Sequence, residues 1–361
     1  MLSNQEIARY NRHIILPELG LEGQQKLKNA AVLVIGAGGL GCPVLQYLTA
    51  AGVGTIGIVD DDIVDESNLQ RQILYNIEDI GKHKAEIAAK KLSLQNPFVC
   101  FNVYIERLNK QNALSFFERY DLIIDGSDNF PTRYLVNDAC VILNKPLVFG
   151  SIFKFEGQVS VFNFENGPTY RCLFPDQPDD SPNCSEIGVV GVLPGIIGSL
   201  QANEAIKIIT GIGEVLSGKL MIFDALTLHF QMLHFNANPQ NKLITQLGDY
   251  IELCDAFPFK INEISIAELK SKINSGEDIQ IVDVREPHEF EIFNINGELI
   301  PLDTLIENQH KISKTKQVIV HCQRGSRSIA AIKLLNKNNN TSNLYNLIGG
   351  IENWNECQTS I

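Results

Sequence analysis

Val32-Leu33-Val34-Ile35 is an unbroken apolar run that gives way at once to Gly36-Ala37-Gly38-Gly39-Leu40-Gly41. A run with no polar alternation predicts a strand buried on both faces, as in a parallel sheet. The glycines let the backbone turn tightly and approach a phosphate, and residues 42–51 predict a helix whose N-terminus faces it. Further strands are expected at 55–59, 122–126, 147–150 and 157–162, with helices over 3–13 and 85–94 and a small-residue, apolar helix after Gly195. Ser3 followed by Glu6 is a capping-box pattern. Residues 174–183, rich in Pro and Asp, read as a long loop. A polar stretch with Pro239, Gly248 and Pro258 then separates a second series. There the pattern predicts a helix over 264–273 capped by Ser265 or Asn262, a strand over 279–285 and a polar helix opened by Glu286-Pro287. Another helix after Leu302, a buried strand over 317–322 and a helix over 328–336 follow. The pattern divides the chain into a first α/β domain at 1–245, a linker at 246–260 and a smaller α/β domain at 261–361.

Bulk properties narrow the class. A chain of 361 residues suits two domains, and 44% hydrophobic content supplies a full core. A formal charge of -12 argues against nucleic acid as the main partner. No apolar run is long enough to cross a membrane, and the first residues lack a basic-then-apolar signal. The expected location is the cytoplasm. Eight cysteines are scattered with no C-x-x-C pair, so free thiols are expected and reactivity is the reason to single any out.

Candidate chemistry gathers after the second strand. That strand ends in Asp60, where an acidic residue meets a ribose hydroxyl in dinucleotide folds. The polar segment Ser67-Asn68-Leu69-Gln70-Arg71-Gln72 follows, and a dehydrogenase has no reason to carry it. A nucleoside triphosphate does: Arg71 offers a planar fork for phosphate oxygens, and Lys84 a point charge. Taken singly, both residues are more often surface charges. Asp128, after the 122–126 strand, is a candidate magnesium ligand, because magnesium takes one or two carboxylates plus phosphate oxygens. It is equally a candidate helix N-cap before Phe130-Pro131. Arg12 precedes Ile14-Ile15-Leu16 and reads as a solvated arginine or as the rim of a pocket or subunit contact.

The ordered set Gly36 to Gly41, Asp60, Ser67 to Gln72, Lys84, Asp128-Asn129 and Gly157-Gln158 resembles the MoeB/ThiF/HesA adenylyltransferases, relatives of ubiquitin-activating enzymes. The likeness runs from the N-terminus to about residue 238. It implies a Rossmann-like adenylation domain in which Gly39, Asp60, Ser67, Asn68, Arg71, Lys84, Asp128 and Asn129 hold ATP and Mg2+. Asp128 is then the metal ligand, and Arg12 reaches across a homodimer. It also implies that Cys184, at the end of the 174–183 loop, is a candidate second nucleophile; a free loop cysteine is the alternative. Many relatives bind structural zinc through paired C-x-x-C cysteines. Here only Cys172 stands at the first pair, and Asn238-Pro239-Gln240-Asn241-Lys242-Leu243 has none, so zinc is not expected.

In the second domain Cys322-Gln323-Arg324-Gly325-Ser326-Arg327 leads from a strand into a helix. Inward backbone N–H groups, the helix N-terminus, Arg324 and Arg327 all favour a thiolate or persulfide on Cys322. With Asp283-Val284-Arg285-Glu286 and Gly349-Gly350-Ile351-Glu352-Asn353-Trp354, this half resembles rhodanese-type sulfurtransferases. Four residues separate Cys322 from Arg327, one fewer than in the cysteine phosphatase signature. Asn294-Ile295-Asn296-Gly297 departs mildly from the His-Ile-Pro-Gly common in relatives.

The combined expectation is a fused sulfur-carrier activating enzyme. Arg71 and Asp128 serve adenylation of the C-terminal glycine of a ubiquitin-like carrier ending in Gly-Gly. Cys322, Arg327 and Cys184 serve sulfur transfer to a thiocarboxylate, with a cysteine desulfurase as a plausible donor. The rival readings are an NAD(P)-binding oxidoreductase and a non-catalytic binding protein, each with a regulatory rhodanese-like domain.

Overall fold

A computed structural model describes residues 1–175, 188–250, 261–338, 342–352 and 354. The chain forms two compact units, Met1–Glu252 and Leu253–Ile361. The first is built on eight strands: β1 (Ala31–Ile35), β2 (Thr55–Val59), β3 (Cys100–Tyr104), β4 (Leu122–Asp125), β5 (Leu147–Phe153), β6 (Glu156–Phe162), β7 (Lys219–Asp224) and β8 (His229–His234). Their order is β3-β2-β1-β4-β5-β6-β7-β8. β1 to β5 pair in parallel, and β6, β7 and β8 continue antiparallel.

β1 sits where its pattern predicts. Val32, Leu33 and Val34 are fully buried; Val32 and Val34 join one core cluster, Leu33 and Ile35 the other. A strand with helices over both faces must be apolar at every position, and burial of each such side chain contributes roughly 1.5–3 kcal/mol. β3 escaped the sequence reading because it is an outer strand with half-exposed residues, so its apolar signal is diluted. The antiparallel β7–β8 pair was also unread.

The predicted N-terminal helix divides. Ser3 and Glu6 form the capping box, but the helix Asn4–Arg9 ends at Tyr10, and Asn11–Ile14 is a separate turn. Tyr10 is buried, and its hydroxyl accepts from Asn96 Nδ2 at 2.8 Å. Its ring fills the space where Gly52 would carry a Cβ, which explains glycine at that left-handed helix end.

The second unit is a parallel sheet of five strands: β9 (Asn262–Ile264), β10 (Ile279–Asp283), β11 (Glu298–Leu299), β12 (Gln317–His321) and β13 (Leu344–Leu347). Their order is β11-β10-β12-β13-β9. The helix expected over 264–273 starts later: β9 takes 262–264, Ser265 caps, and the helix runs Ile266–Ser275. β12 is central, and its Val318, Ile319 and Val320 are buried between two core clusters.

The connector expected from residue 246 begins later on the described chain. Leu247 is buried in a core cluster of the first unit, and the Tyr250 hydroxyl donates to Asp138 Oδ2 at 2.8 Å. The rest of that stretch, and Cys184, lie outside the described residues.

Candidate functional site

The first site forms at the carboxyl ends of β1, β2 and β4. β1 lies between β2 and β4, so the chain reverses its direction of sheet-building there, and such switch points open a crevice for ligands. Gly36 leaves β1 with φ +87°, and a Cβ on it would lie 2.9 Å from the Gly126 carbonyl oxygen. Only glycine permits that approach of the two turns. The helix Gly41–Ala51 follows directly, its N-terminus at the turn.

Asp60 braces the glycine turn. Its Oδ2 accepts from Ala37 N at 2.7 Å and its Oδ1 from Asp62 N at 2.9 Å. Burial pushes its carboxyl up from the usual range, opposed by the Ala37 N–H and the Lys84 charge. Lys84 opens the helix Lys84–Gln95 and is itself buried, 6% exposed, while its partner Asp62 is 70% exposed; Nζ and Oδ2 are 2.8 Å apart. The Tyr75 hydroxyl ties this corner to the turn, 2.8 Å from the Ala37 carbonyl oxygen and 3.3 Å from that of Lys84.

The Ser67 to Gln72 segment folds over the glycines. Glu66–Asn68 is a short 3-10 turn capped by Asp65, whose Oδ1 accepts from Ser67 N and Oγ; Asp65 N donates back to Asn68 Oδ1. Arg71 Nη1 donates to the Ser67 carbonyl at 3.0 Å. Its Cδ lies 3.7 Å from where a Gly39 Cβ would sit, and Gln72 Nε2 lies 3.6 Å from that of Gly38. The half-buried guanidinium therefore rides on the turn, with no carboxylate partner among the described residues. Asp128 is exposed beyond β4 and is not the helix cap. Asn129 is: its Oδ1 accepts from Thr132 N at 2.9 Å. Asp128 is left with no hydrogen bond among the described residues. Arg12 is exposed at the short Asn11–Ile14 turn.

Sequence reading missed a buried polar set beneath this crevice. Asp125 ends β4 fully buried, and burial raises its carboxyl, with Arg133 opposing. Gln201 Nε2 donates to the Asp125 carbonyl at 2.7 Å, from a helix, Leu193–Thr210, that is otherwise largely apolar. The Arg133 guanidinium lies over the rings of Phe130 and Phe149, 5.1 and 5.6 Å from their centroids. Asp125 Oδ2, Ser127 Oγ, Arg133 Nε and Gln201 Oε1 have no hydrogen-bond partner among the described residues. The available signal was a lone Gln inside an apolar helical run.

The cysteines of this unit divide by environment. Burial pushes Cys42 up to about 12 and Cys140 well above the usual thiol value, so neither supplies a thiolate. Cys172 differs. Burial raises it, but hydrogen bonds from Asn238 N at 3.2 Å, Thr169 Oγ1 and Asn241 Nδ2 outweigh that and hold it below the usual range.

The second site surrounds Cys322, 1% exposed at the end of β12. Gly325 N donates to its Sγ at 3.1 Å, and Ser328 Oγ lies 3.6 Å away. The Ser328 hydroxyl is also 2.8 Å from the Gly325 carbonyl and 2.7 Å from Asn346 Oδ1. The Gly349-Gly350-Ile351-Glu352 segment clasps the loop: Ile351 N donates to the Cys322 carbonyl and Glu352 N to that of Gln323. Neither arginine of the loop is turned loose on the sulfur, against the expectation. Arg324 pairs with Glu352, and Arg327 pairs with Glu289, both through two N–H···O bonds. Below, Asp283 and Arg285 form a buried pair, and Arg285 also donates to the Phe293 carbonyl and to Gln323 Oε1. Buried His321 beside them is pushed below its ordinary value by desolvation.

Residues 10–244 match the ThiF family and residues 265–357 the rhodanese-like domain. The probable adenylyltransferase/sulfurtransferase MoeZ of Mycobacterium tuberculosis is 45% identical over 98% of this chain and 94% of its own length. The adenylyltransferase and sulfurtransferase MOCS3 of Drosophila sechellia is 40% identical over 98% of this chain and 84% of its own. The sulfur carrier protein adenylyltransferase of Thermus thermophilus is 54% identical over 66% of this chain and 90% of its own. Among solved structures, E. coli MccB with MccA-N7isoASN aligns with a TM-score of 0.60 at 22% identity, over 68% of this chain and 76% of that one, a likeness of fold alone. By its glycine turn, its Arg71 segment and these matches, the chain belongs to the ThiF family, with a rhodanese-like domain following the adenylyltransferase-type one.

Proposed function

We propose that the protein is an adenylyltransferase and sulfurtransferase that activates the C-terminal carboxylate of a ubiquitin-like sulfur carrier and converts it to a thiocarboxylate. The reading is carried by one observation: the Ser67 to Gln72 segment folds back so that an arginine with no carboxylate partner among the described residues covers the glycine turn. ATP is the nucleotide such a turn takes, its phosphates facing the N-terminus of the helix Gly41–Ala51 and Arg71. The residues fit Mg2+ as well. Asp128 is an exposed, unengaged carboxylate beside the crevice, and magnesium takes one or two carboxylates with phosphate oxygens; bound there, it would neutralise phosphate charge.

Asp60, Asn68 and Lys84 shape the pocket, with Ser67 and Asn129 locking its loops. The carrier carboxylate attacks the α-phosphorus, pyrophosphate leaves, and an acyl-adenylate forms. Positioning and charge neutralisation suffice, with no protein nucleophile. A persulfide on Cys322 then attacks the acyl carbon and AMP leaves. Attack by a second thiol, for which Cys184 is the candidate, on the Cys322 sulfur frees the thiocarboxylate and leaves a disulfide for cellular thiols to reduce. A carrier ending in Gly-Gly, a cysteine desulfurase as donor, a homodimer completed by Arg12, and a reducing cytoplasm suited to free thiols complete the proposal. Zinc has no part in it. Cys172, the one cysteine at the positions where relatives pair theirs for zinc, is hydrogen-bonded with Asn238, Asn241 and Thr169.

Carrier-dependent exchange of pyrophosphate into ATP tests this reading. Arg71→Ala and Asp128→Ala should each cut exchange by roughly 10²–10³-fold, the scale of one lost transition-state contact. Cys322→Ala should leave exchange intact and stop thiocarboxylate formation. Loss of exchange in Cys322→Ala, or wild-type exchange in both other variants, would overturn the division of labour.

A further inference from the structure

The helix Leu193–Thr210 packs one face against both turns of the nucleotide crevice. Residues 194, 198 and 201 lie four and three apart, so they share that face. Pro194 Cβ is 3.1 Å from where a Gly39 Cβ would sit, and a Cβ on Gly198 would lie 2.5 Å from the Leu40 carbonyl oxygen. Gln201 reaches the other turn. It is fully buried, and its Nε2 donates to the Asp125 carbonyl at 2.7 Å. To get there it passes over Gly150 of β5, the strand beside β4, where a Cβ would lie 2.3 Å from Gln201 Cδ.

A buried amide in an apolar helix destabilises unless its polar atoms are hydrogen-bonded. Gln201 Oε1 has no hydrogen-bond partner among the described residues, so packing alone favours an apolar side chain at this position. What the amide does is hold the carbonyl from which the 126–128 turn departs. That turn is fixed further by Ser127 N, which donates to Asp125 Oδ1 at 2.9 Å, and by Gly126 N, which donates to the Ile35 carbonyl at 2.8 Å. The residue the turn delivers is the exposed Asp128. We propose that Gln201 is a positioning residue of the adenylation site. By fixing the Asp125 carbonyl it holds the Asp128 carboxylate beside the crevice for the Mg2+ that accompanies ATP. The inference rests on Asp128 being the metal-binding carboxylate of the proposed function. Gln201 touches neither nucleotide nor metal, and acts through the backbone of residues 125–128.

Calorimetric binding of ATP to the full chain, in Mg2+ and in EDTA, tests this with no carrier present. Gln201→Met keeps the length of the side chain and removes the donor. It should weaken ATP binding in Mg2+ by about 10–100-fold, the usual effect of removing a group that orients a metal ligand, and leave binding in EDTA within about twofold. The glycine turn and Arg71 are untouched by it. Gly150→Ala displaces the same amide without altering it, because the added methyl occupies the place of Gln201 Cδ. It should give the same Mg2+-selective loss. Equal losses in Mg2+ and in EDTA, the mark of a merely structural role, overturn the proposal, and so does a wild-type Mg2+ response in either variant. If the wild type itself binds ATP no more tightly in Mg2+ than in EDTA, the assignment of Asp128 fails, and the proposal with it.

Discussion

Single residues in this protein are set by what lies behind them as much as by their own chemistry. His321 follows an unbroken apolar strand, so it is buried, with neither ring nitrogen hydrogen-bonded among the described residues. Its folded-state value is depressed by desolvation. The unfolded chain therefore takes up the proton first as pH falls, and stability present above about pH 6.5 is lost below it. The slope is at most about 1.4 kcal/mol per pH unit. The thermal midpoint of the second unit should drop between pH 7 and pH 5, and His321→Gln should flatten that dependence; identical slopes in the two proteins would refute the assignment. Arg327 makes the complementary point. Its position in the Cys322 loop was legible from spacing alone. Its partner Glu289, 38 residues away, was not, because an ion pair between elements leaves no local pattern.

At the scale of elements, glycines record where two backbones meet. Gly350 has φ +62°, and a Cβ there would lie 2.5 Å from the Gln323 carbonyl oxygen and 2.6 Å from that of Cys322. The left-handed backbone alone costs an L-residue roughly 1–2 kcal/mol, and the clash adds to it. Gly350→Ala should therefore lower the stability of the second unit by at least about 2 kcal/mol and impair sulfur transfer, while ATP–pyrophosphate exchange holds. Retention of wild-type sulfur transfer and melting would mean that the loop and the Gly349-Gly350 segment are not clasped in solution. The strands most easily read, β1, β2, β4 and β12, are those buried on both faces. β3 and the β7–β8 pair were missed because exposed faces mix polar and apolar residues, and the cap that Asp128 could have supplied falls to Asn129 because two adjacent Asx residues both suit it.

For the whole molecule, each unit has its own hydrophobic clusters. Calorimetry of the full chain should therefore resolve two unfolding transitions. ATP with Mg2+ should raise the first unit's, by the equivalent of about 2.7 kcal/mol at a hundredfold excess over Kd, and leave the other in place. A single transition shifted as one body would show the two to be thermodynamically coupled. No helix among the described residues is long and apolar enough to cross a membrane. The sequence by itself determined the two α/β units, the glycine turn, the Arg71 segment and the Cys322 loop. Each is a contiguous pattern, whether an apolar period or a short spacing, and local chemistry suffices to specify it. Only the tertiary structure decided which charges stay unpaired. Arg71 rests on the glycine turn with no carboxylate partner among the described residues, Arg324 and Arg327 are paired with Glu352 and Glu289, and Asp125, Arg133 and Gln201 meet beneath the crevice. Pairing depends on distances between elements far apart in the chain, and those distances exist only once the sheets have assembled.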